Sequence, residues 1–358
     1  MAAHFHLLTI KHIKKETPEC VSVSFDIPQT LAAEFLFKEG QNITIKANIN
    51  GAELRRSYSL CTAPHEKEIK VAIKSVDGGS FSSFAQNLKK GDVLEVMPPV
   101  GKFNAKLADQ KGNYLAIAAG SGITPVISII KHSLQAQPES SFTLIYGNKS
   151  RGAIIFFEEL EALKNRYIQR FSFINILSRE KTDATINYGR INQDKLSDLQ
   201  QFIDFKNFDS VYICGPEEMI FASSAFLERA GLDKSKIHFE LFTTPGQAII
   251  KRQATIIIDE KDSGPKSSIT VKLDGRSFDF DLGQSGQNIL DAALQQGADL
   301  PYACKGGVCC TCRAKLVSGE VSMDVNYALE PEEVAQGFIL TCQSHPRSEK
   351  VVIDFDVK

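Results

Sequence analysis

Four cysteines carry the most specific chemistry in this chain. Cys304, Cys309 and Cys312 lie in the stretch Pro301-Tyr-Ala-Cys-Lys-Gly-Gly-Val-Cys-Cys-Thr-Cys312, and Cys342 stands alone downstream. C-x4-C-x2-C followed by one distant cysteine is the spacing with which thiolates hold a [2Fe–2S] cluster. Three ligands come from one tight loop, and the fourth fixes that loop against its domain. Gly306 and Gly307 let backbone N–H groups approach sulfur with no Cβ in the way. A zinc knot would offer two short paired motifs, and Cys342 has no partner nearby. Buried structural cysteines would not need the glycine-rich pattern. Nothing at the N-terminus reads as a signal peptide, which weighs against disulfides. Cys310 reads as a spacer.

A cluster needs a domain around it. Ser268–Leu273, a turn at Asp274-Gly275-Arg276 and Ser277–Leu282 read as a hairpin, and Asn288–Gln296 as a helix. After the cysteine loop come a strand at Arg313–Ser318, a short helix at Glu330–Gln336, and Phe338–Gln343 delivering Cys342. This is the layout of an α+β, β-grasp ferredoxin domain over residues 267–358.

A second set of residues suits phosphate and ring binding. Arg56-Ser57-Tyr58-Ser59 lies on a β-patterned run, Ser57–Thr62. A guanidinium can grip a pyrophosphate, a tyrosine can stack on a ring, and a serine can reach its polar edge. Gly78-Gly79-x-x-Ser82 opens a short helix whose N–H groups can receive phosphate. Taken singly, the first is an ordinary exposed strand and the second a glycine turn with a serine cap. Around them, His6–Lys14, Cys20–Ile27, Gln41–Ile49, Glu68–Ser75 and Val93–Met97 read as short strands of an antiparallel β-barrel over residues 1–107.

The texture then changes. Tyr114–Ala119 is a continuous apolar run, as in a buried parallel strand, and it enters Gly120-Ser-Gly122-Ile-Thr124-Pro125. A helix follows at Val126–Gln135 with Pro125 near its first position. Strands at Ser141–Tyr146, Arg170–Ile176 and Ser210–Cys214 alternate with helices at Phe156–Lys164 and Leu196–Phe202. The last helix begins after Gly215-Pro216-Glu-Glu-Met219, and Lys236–Phe242 closes as a strand. The alternation predicts a doubly wound α/β domain over residues 111–243. Gly120-x-Gly122 lacks the third glycine of the dinucleotide fingerprint, yet still offers a tight strand-to-helix turn for a pyrophosphate. The second strand ends without an acid for a ribose 2′-hydroxyl. Arg151, Ser178 and Arg179 could instead meet a 2′-phosphate, or form a solvated basic loop; Arg190 lies further along. Residues 244–266 read as a linker, with Ile249–Ile258 β-patterned inside it.

In order and separation these motifs resemble the ferredoxin–NADP reductase superfamily: R-x-Y-S, then G-G-x-x-S, Gly101-x-Phe103, G-x-G-x-x-P and Cys214-Gly215-Pro216. The resemblance implies that Arg56, Ser57, Tyr58, Ser59, Lys74, Gly78, Gly79 and Ser82 serve FAD. It implies that Gly120, Gly122, Thr124, Pro125, Arg151, Ser178, Arg179, Cys214, Gly215 and Pro216 serve NADPH, with NADH possible. Ser59, Cys214 and Glu240 would then lie at the reacting rings, although Cys214 also reads as a buried small apolar residue. His238 reads as a structural neighbour of Glu240.

Flavin barrel, nucleotide domain and C-terminal ferredoxin, in that order, resemble oxygenase reductase components. Leu300–Cys309, Asn326–Pro331 and Val352–Asp356 are similar to the reductase subunits of phenylacetyl-CoA epoxidases, the ring 1,2-monooxygenases. That implies electrons passing from NADPH through FAD and the cluster to a di-iron oxygenase partner. The alternatives are a Rieske, steroid or fatty-acid oxygenase, a soluble carrier, or a redox sensor that does not turn over NADPH. The 358 residues carry a net charge of −2, with no basic surface for nucleic acid and no apolar run of the roughly 20 residues a membrane span needs. Eight cysteines without an export signal suit a reducing cytoplasm. No Glu-x-x-His pair or Rieske histidines offer an oxygenase centre of the chain's own.

Overall fold

The structure, a computed structural model, describes residues 4–107, 111–242 and 265–357. The Ile249–Ile258 stretch and the expected linker, apart from residues 265 and 266, lie outside these. The described residues divide into two compact units. One holds 6–54 and 58–241; the other holds 265–357 with 4–5, 55–57 and 242.

The first sheet joins β1 (His6–Thr17), β2 (Cys20–Asp26), β3 (Asn42–Ile49), β4 (Ala52–Ser59), β5 (Ile69–Lys74) and β6 (Val93–Val96), in the order β4-β3-β6-β1-β2-β5. Leu60, just past β4, bridges antiparallel to Val71 of β5, so the two edge strands meet and the sheet closes as a barrel. Leu8, Ile10, Val23, Ile43, Ile45, Val71 and Ile73 fill it. β4 begins five residues before the run expected at Ser57–Thr62. The cause is the Asn50-Gly51 turn, both residues at positive φ, which pairs β4 tightly with β3. R-x-Y-S therefore occupies the end of a strand, and α1 (Ser80–Ala85) follows the Gly78-Gly79 turn.

The second sheet joins β7 (Asn113–Ala119), β8 (Ser141–Asn148), β9 (Phe171–Leu177), β10 (Ser210–Cys214) and β11 (Ile237–Glu240), all parallel, in the order β11-β10-β7-β8-β9. Its helices are α2 (Ile123–Ala136), α3 (Phe157–Arg166), α4 (Gln193–Leu199) and α5 (Glu217–Arg229). α2 starts three residues earlier than expected. Pro125 falls inside the first turn, where a missing N–H costs nothing because those donors have no partner within the helix. The strand order reverses between β7 and β10, so the crevice beyond their C-terminal ends is the topological switch point where such sheets take ligands. Both the glycine turn and Cys-Gly-Pro end there.

The other unit carries a mixed five-stranded sheet of β12 (Lys266–Leu273), β13 (Arg276–Gly283), β14 (Arg313–Ser318), β16 (Phe338–Leu340) and β18 (Lys350–Asp354), in the order β13-β12-β18-β14-β16. β12 and β18 run parallel. α6 (Ile289–Gln295), capped by the Asn288 side chain, buries Ile289, Leu290, Ala292 and Ala293. β15 (Val321–Met323) pairs with β17 (Ser344–Pro346), and α7 (Pro331–Ala335) completes the unit. β15, β17 and β18 have no counterpart in the sequence reading. The first two span three residues each, too few for a period-2 pattern to register.

Candidate functional site

Along the end of β4 the motif passes from exposed to buried. Arg56 is exposed, Ser57 and Tyr58 are half-buried, and Ser59 is buried. The Tyr58 ring packs 5.7 Å from that of Phe81 on α1. Ser82 is buried and already engaged: its hydroxyl accepts from the Val76 N–H at 3.2 Å and donates to the Gly79 carbonyl at 3.1 Å. It shapes the loop in which Gly78 and Ser80 stay exposed. Lys74, half-buried at the end of β5, sits 3.8 Å from Glu19 and reaches towards the Gly120 turn.

Parallel register then assembles residues far apart in sequence. Cys214 pairs with Ala118 on one side and Glu240 on the other. Glu240 in turn accepts a hydrogen bond from Ser59 Oγ at 3.2 Å. Cys214 is fully buried, which pushes its thiol well above the usual range, and Glu240 adds to this. Desolvation raises the Glu240 carboxyl to about 8, against the opposing pull of the Ser59 hydrogen bond. At neutral pH Ser59, Cys214 and Glu240 thus form an uncharged group rich in protons. His238 stacks on Tyr212 at 5.5 Å, and burial lowers it to about 4, keeping it neutral.

On the neighbouring strand end, Gly120–Gly122 forms a single 3-10 turn into α2. A Cβ on Gly122 would lie 2.0 Å from the Cys214 carbonyl oxygen, so only glycine lets this turn rest on the Cys-Gly peptide. Tyr146 donates to the Gly120 carbonyl at 2.8 Å, and Thr124 to that of Ser121 at 3.0 Å. Pro125 is buried, Gly215 is half-buried, and Pro216 is exposed as the cap of α5. The ends of β8 and β9 are tied together by Arg179 N–H to Lys149 O (2.8 Å) and Ser178 Oγ to Asn148 O (3.2 Å). Lys149, Arg151 and Arg179 are exposed on these two ends. Arg151 N–H holds the Glu180 carboxylate at 2.8 Å. Arg190 is exposed on a later segment.

In the other unit the four cysteines converge. Cys304 Sγ is within hydrogen-bond reach of Cys309 and Cys342, and Cys342 of Cys312. Donors point at these sulfurs. Gly306 N–H reaches Cys304 Sγ at 3.3 Å with Val308 beside it, Thr311 approaches Cys309, and Gln343 Nε2 lies 3.5 Å from Cys342 Sγ. Among the described residues no three His, Cys, Asp or Glu side chains gather about a single ion. Four converging thiols, three of them with hydrogen-bond donors at the sulfur, fit instead a wider, negatively charged group such as a two-iron cluster with bridging sulfides. Cys310 takes a left-handed φ of 54° and donates to the Ala328 carbonyl at 2.9 Å. Gln343, Tyr146 and Glu19 escaped the sequence reading. Only for Gln343 was there a signal, a polar residue closing the apolar run that delivers Cys342.

The comparisons with known proteins agree on the architecture. The oxidoreductase FAD-binding domain family matches residues 7–105, the oxidoreductase NAD-binding domain family 116–224, and the 2Fe-2S iron-sulfur cluster binding domain family 271–347. Over 357 residues the chain is 45% identical to a subunit of the 1,2-phenylacetyl-CoA epoxidase of Escherichia coli (strain K12), covering 99% of this chain and 98% of that protein. It is 30% identical over 352 residues to the ferredoxin reductase component of 3-ketosteroid-9-alpha-monooxygenase from Rhodococcus rhodochrous, covering 98% and 96%. The solved structure of phthalate dioxygenase reductase matches with a TM-score of 0.58 at 25% identity, covering 98% of both chains. No helix among the described residues is long and apolar enough to cross a membrane. With its FAD-binding, NAD-binding and C-terminal 2Fe-2S domains, this chain belongs to the family of oxygenase reductases that includes this component of 1,2-phenylacetyl-CoA epoxidase.

Proposed function

We propose that the chain draws electrons from NADPH and delivers them to the di-iron oxygenase component of a phenylacetyl-CoA epoxidase in the cytoplasm. The observation that carries this is identity of 45% running through all three domains at nearly full length. When bound, FAD supplies the step between a two-electron hydride donor and a one-electron [2Fe–2S] acceptor. In this reading Arg56, Ser57 and Tyr58 hold the flavin, with Lys74 and the Gly78-Gly79 turn at its phosphates, and Ser82 keeps that turn in shape. Gly120, Gly122, Thr124, Pro125, Gly215 and Pro216 form the nicotinamide-nucleotide cradle. Ser59, Cys214 and Glu240 line the rings, holding protons without presenting a charge. Cys304, Cys309, Cys312 and Cys342 ligate the cluster. The cations Lys149, Arg151 and Arg179, together with Ser178, favour a 2′-phosphate and hence NADPH, since the Glu180 carboxylate beside them is held by a backbone N–H.

The experiment is an anaerobic titration with NADPH, and with NADH as control, following flavin and iron–sulfur absorbance together. The reduced protein is then mixed with the oxygenase component of a phenylacetyl-CoA epoxidase. Bleaching of both chromophores and rapid reoxidation by that component are expected. Bleaching of the flavin alone would remove the cluster from the path. A second reading, service to a steroid-type oxygenase, is favoured by the 30% identity to the ketosteroid reductase component. Faster reoxidation by that oxygenase would select it.

A further inference from the structure

Gln343 is the side chain around the cysteines whose burial most needs explaining. It closes the turn Thr341–Gln343 that follows β16, and only 9% of it is exposed. A buried amide is costly unless its hydrogens are satisfied. Gln343 Nε2 finds three acceptors: Cys342 O at 2.8 Å, Lys305 O at 3.2 Å and Cys342 Sγ at 3.5 Å. Lys305, at a left-handed φ of 52°, lies beside Cys304 in the three-cysteine loop, 38 residues from Gln343. The stem of Gln343 packs flat on that loop. A Cβ on Gly307 would stand 3.2 Å from Gln343 Cγ, and Gly307 takes a φ of 75° that glycine adopts freely.

We infer that Gln343 is a positioning residue that clamps the distant ligand Cys342 to the three-cysteine loop and, through its N–H to the ligand sulfur, raises the reduction potential of the cluster. This rests on the cluster reading of the four cysteines. Reduction adds one negative charge to the cluster, and a donor aimed at a ligand sulfur stabilises the more negative form. The N–H donors of Gly306 and Val308 belong to the backbone, and the Thr311 hydroxyl acts within its own loop. Gln343 joins both ligand-bearing segments with one side chain.

The test is a redox titration monitored by electron paramagnetic resonance on full-length wild type, Gln343→Met and Gln343→Glu, with iron and sulfide counted in each. Met keeps the bulk and loses the donor; Glu keeps the shape and adds a negative charge. In Gln343→Met the ratio of reduced to oxidised cluster at fixed ambient potential should fall by up to about tenfold, a negative shift of about 59 mV for a one-electron couple. Gln343→Glu should fall further, while flavin reduction by NADPH stays at the wild-type rate in both. A wild-type midpoint in a fully loaded Gln343→Met overturns the inference. If the Met variant loses its cluster, a wild-type midpoint in Gln343→Glu overturns it, and loss of the cluster from both confines Gln343 to assembly and equally overturns the tuning role. A wild type without iron, sulfide or signal would instead overturn the cluster reading, and it would show before any variant was made.

Discussion

Ser59 Oγ donates to Glu240 Oε2 at 3.2 Å across 181 residues, joining the last residue of a barrel strand to the last residue of the nucleotide sheet. This bond lies at the switch-point end of the sheet, next to Cys214. Ser59→Ala and Glu240→Gln should each slow flavin reduction by NADPH by about 10²-fold, the low end of what a positioned proton-handling group contributes. Stopped-flow absorbance with an unchanged flavin spectrum is the check. An unchanged rate in both variants would remove the pair from the chemistry.

The raised pKa of Glu240 has a consequence for stability. Its ordinary value is 4.5 and its value in the fold about 8, so the folded protein keeps a proton that the unfolded chain releases. The stabilisation is fully present below pH 4.5 and is lost as pH rises through about 8. Melting temperatures of wild type and Glu240→Gln, measured from pH 5 to 9, should therefore diverge, with the wild type losing ground as pH increases. Parallel curves would show that Glu240 titrates normally.

Gly122→Ala forces a methyl group to within 2.0 Å of the Cys214 carbonyl oxygen, and backbone on both sides must move. Overpacking of this kind costs about 1–3 kcal/mol. The expected result is a lower melting temperature together with weaker NADPH binding, because the displaced turn is the proposed pyrophosphate cradle. Calorimetry of the holoprotein and equilibrium NADPH titration measure the two effects.

Arg179→Ala tests the choice of nucleotide. The side chain is exposed while its N–H is fixed to Lys149 O, so truncation removes charge without loosening the loop. KM for NADPH should rise about tenfold or more, and KM for NADH should change little, since the proposed charge-assisted contact to a 2′-phosphate would be lost only for NADPH. Equal effects on both would take Arg179 out of 2′-phosphate recognition.

Cys342→Ser separates the two electron acceptors. It removes one proposed ligand from the 2Fe-2S domain and leaves the barrel and the nucleotide sheet with their own cores. Iron content and reduction of an external one-electron acceptor should fall to near zero, with the rate of flavin reduction by NADPH retained. Collapse of both activities would contradict modular transfer.

What the sequence determined by itself is local. The cysteine spacing, the paired glycines of the turns at Gly78-Gly79 and Gly120–Gly122 and the strand–helix alternation follow from short-range geometry, because each depends on residues within one loop or one element. Domain order came with them, the cysteine spacing pointed to the cluster, and the resemblance of the combined motifs to the ferredoxin–NADP reductase superfamily implied FAD and the nicotinamide nucleotide. Tertiary structure decided the rest. The start of β4 followed the Asn50-Gly51 turn, which motif reading overlooked, and α2 began early because a proline is harmless in a first turn. Ser82 turned inward to hold its own loop. Above all, the approach of Ser59 to Glu240, the seating of Gly122 on Cys214 and the grip of Gln343 on Lys305 depend on register between distant strands and on which groups lose water. Register is set by the whole sheet and desolvation by the whole fold, so neither is written in the spacing of any one motif.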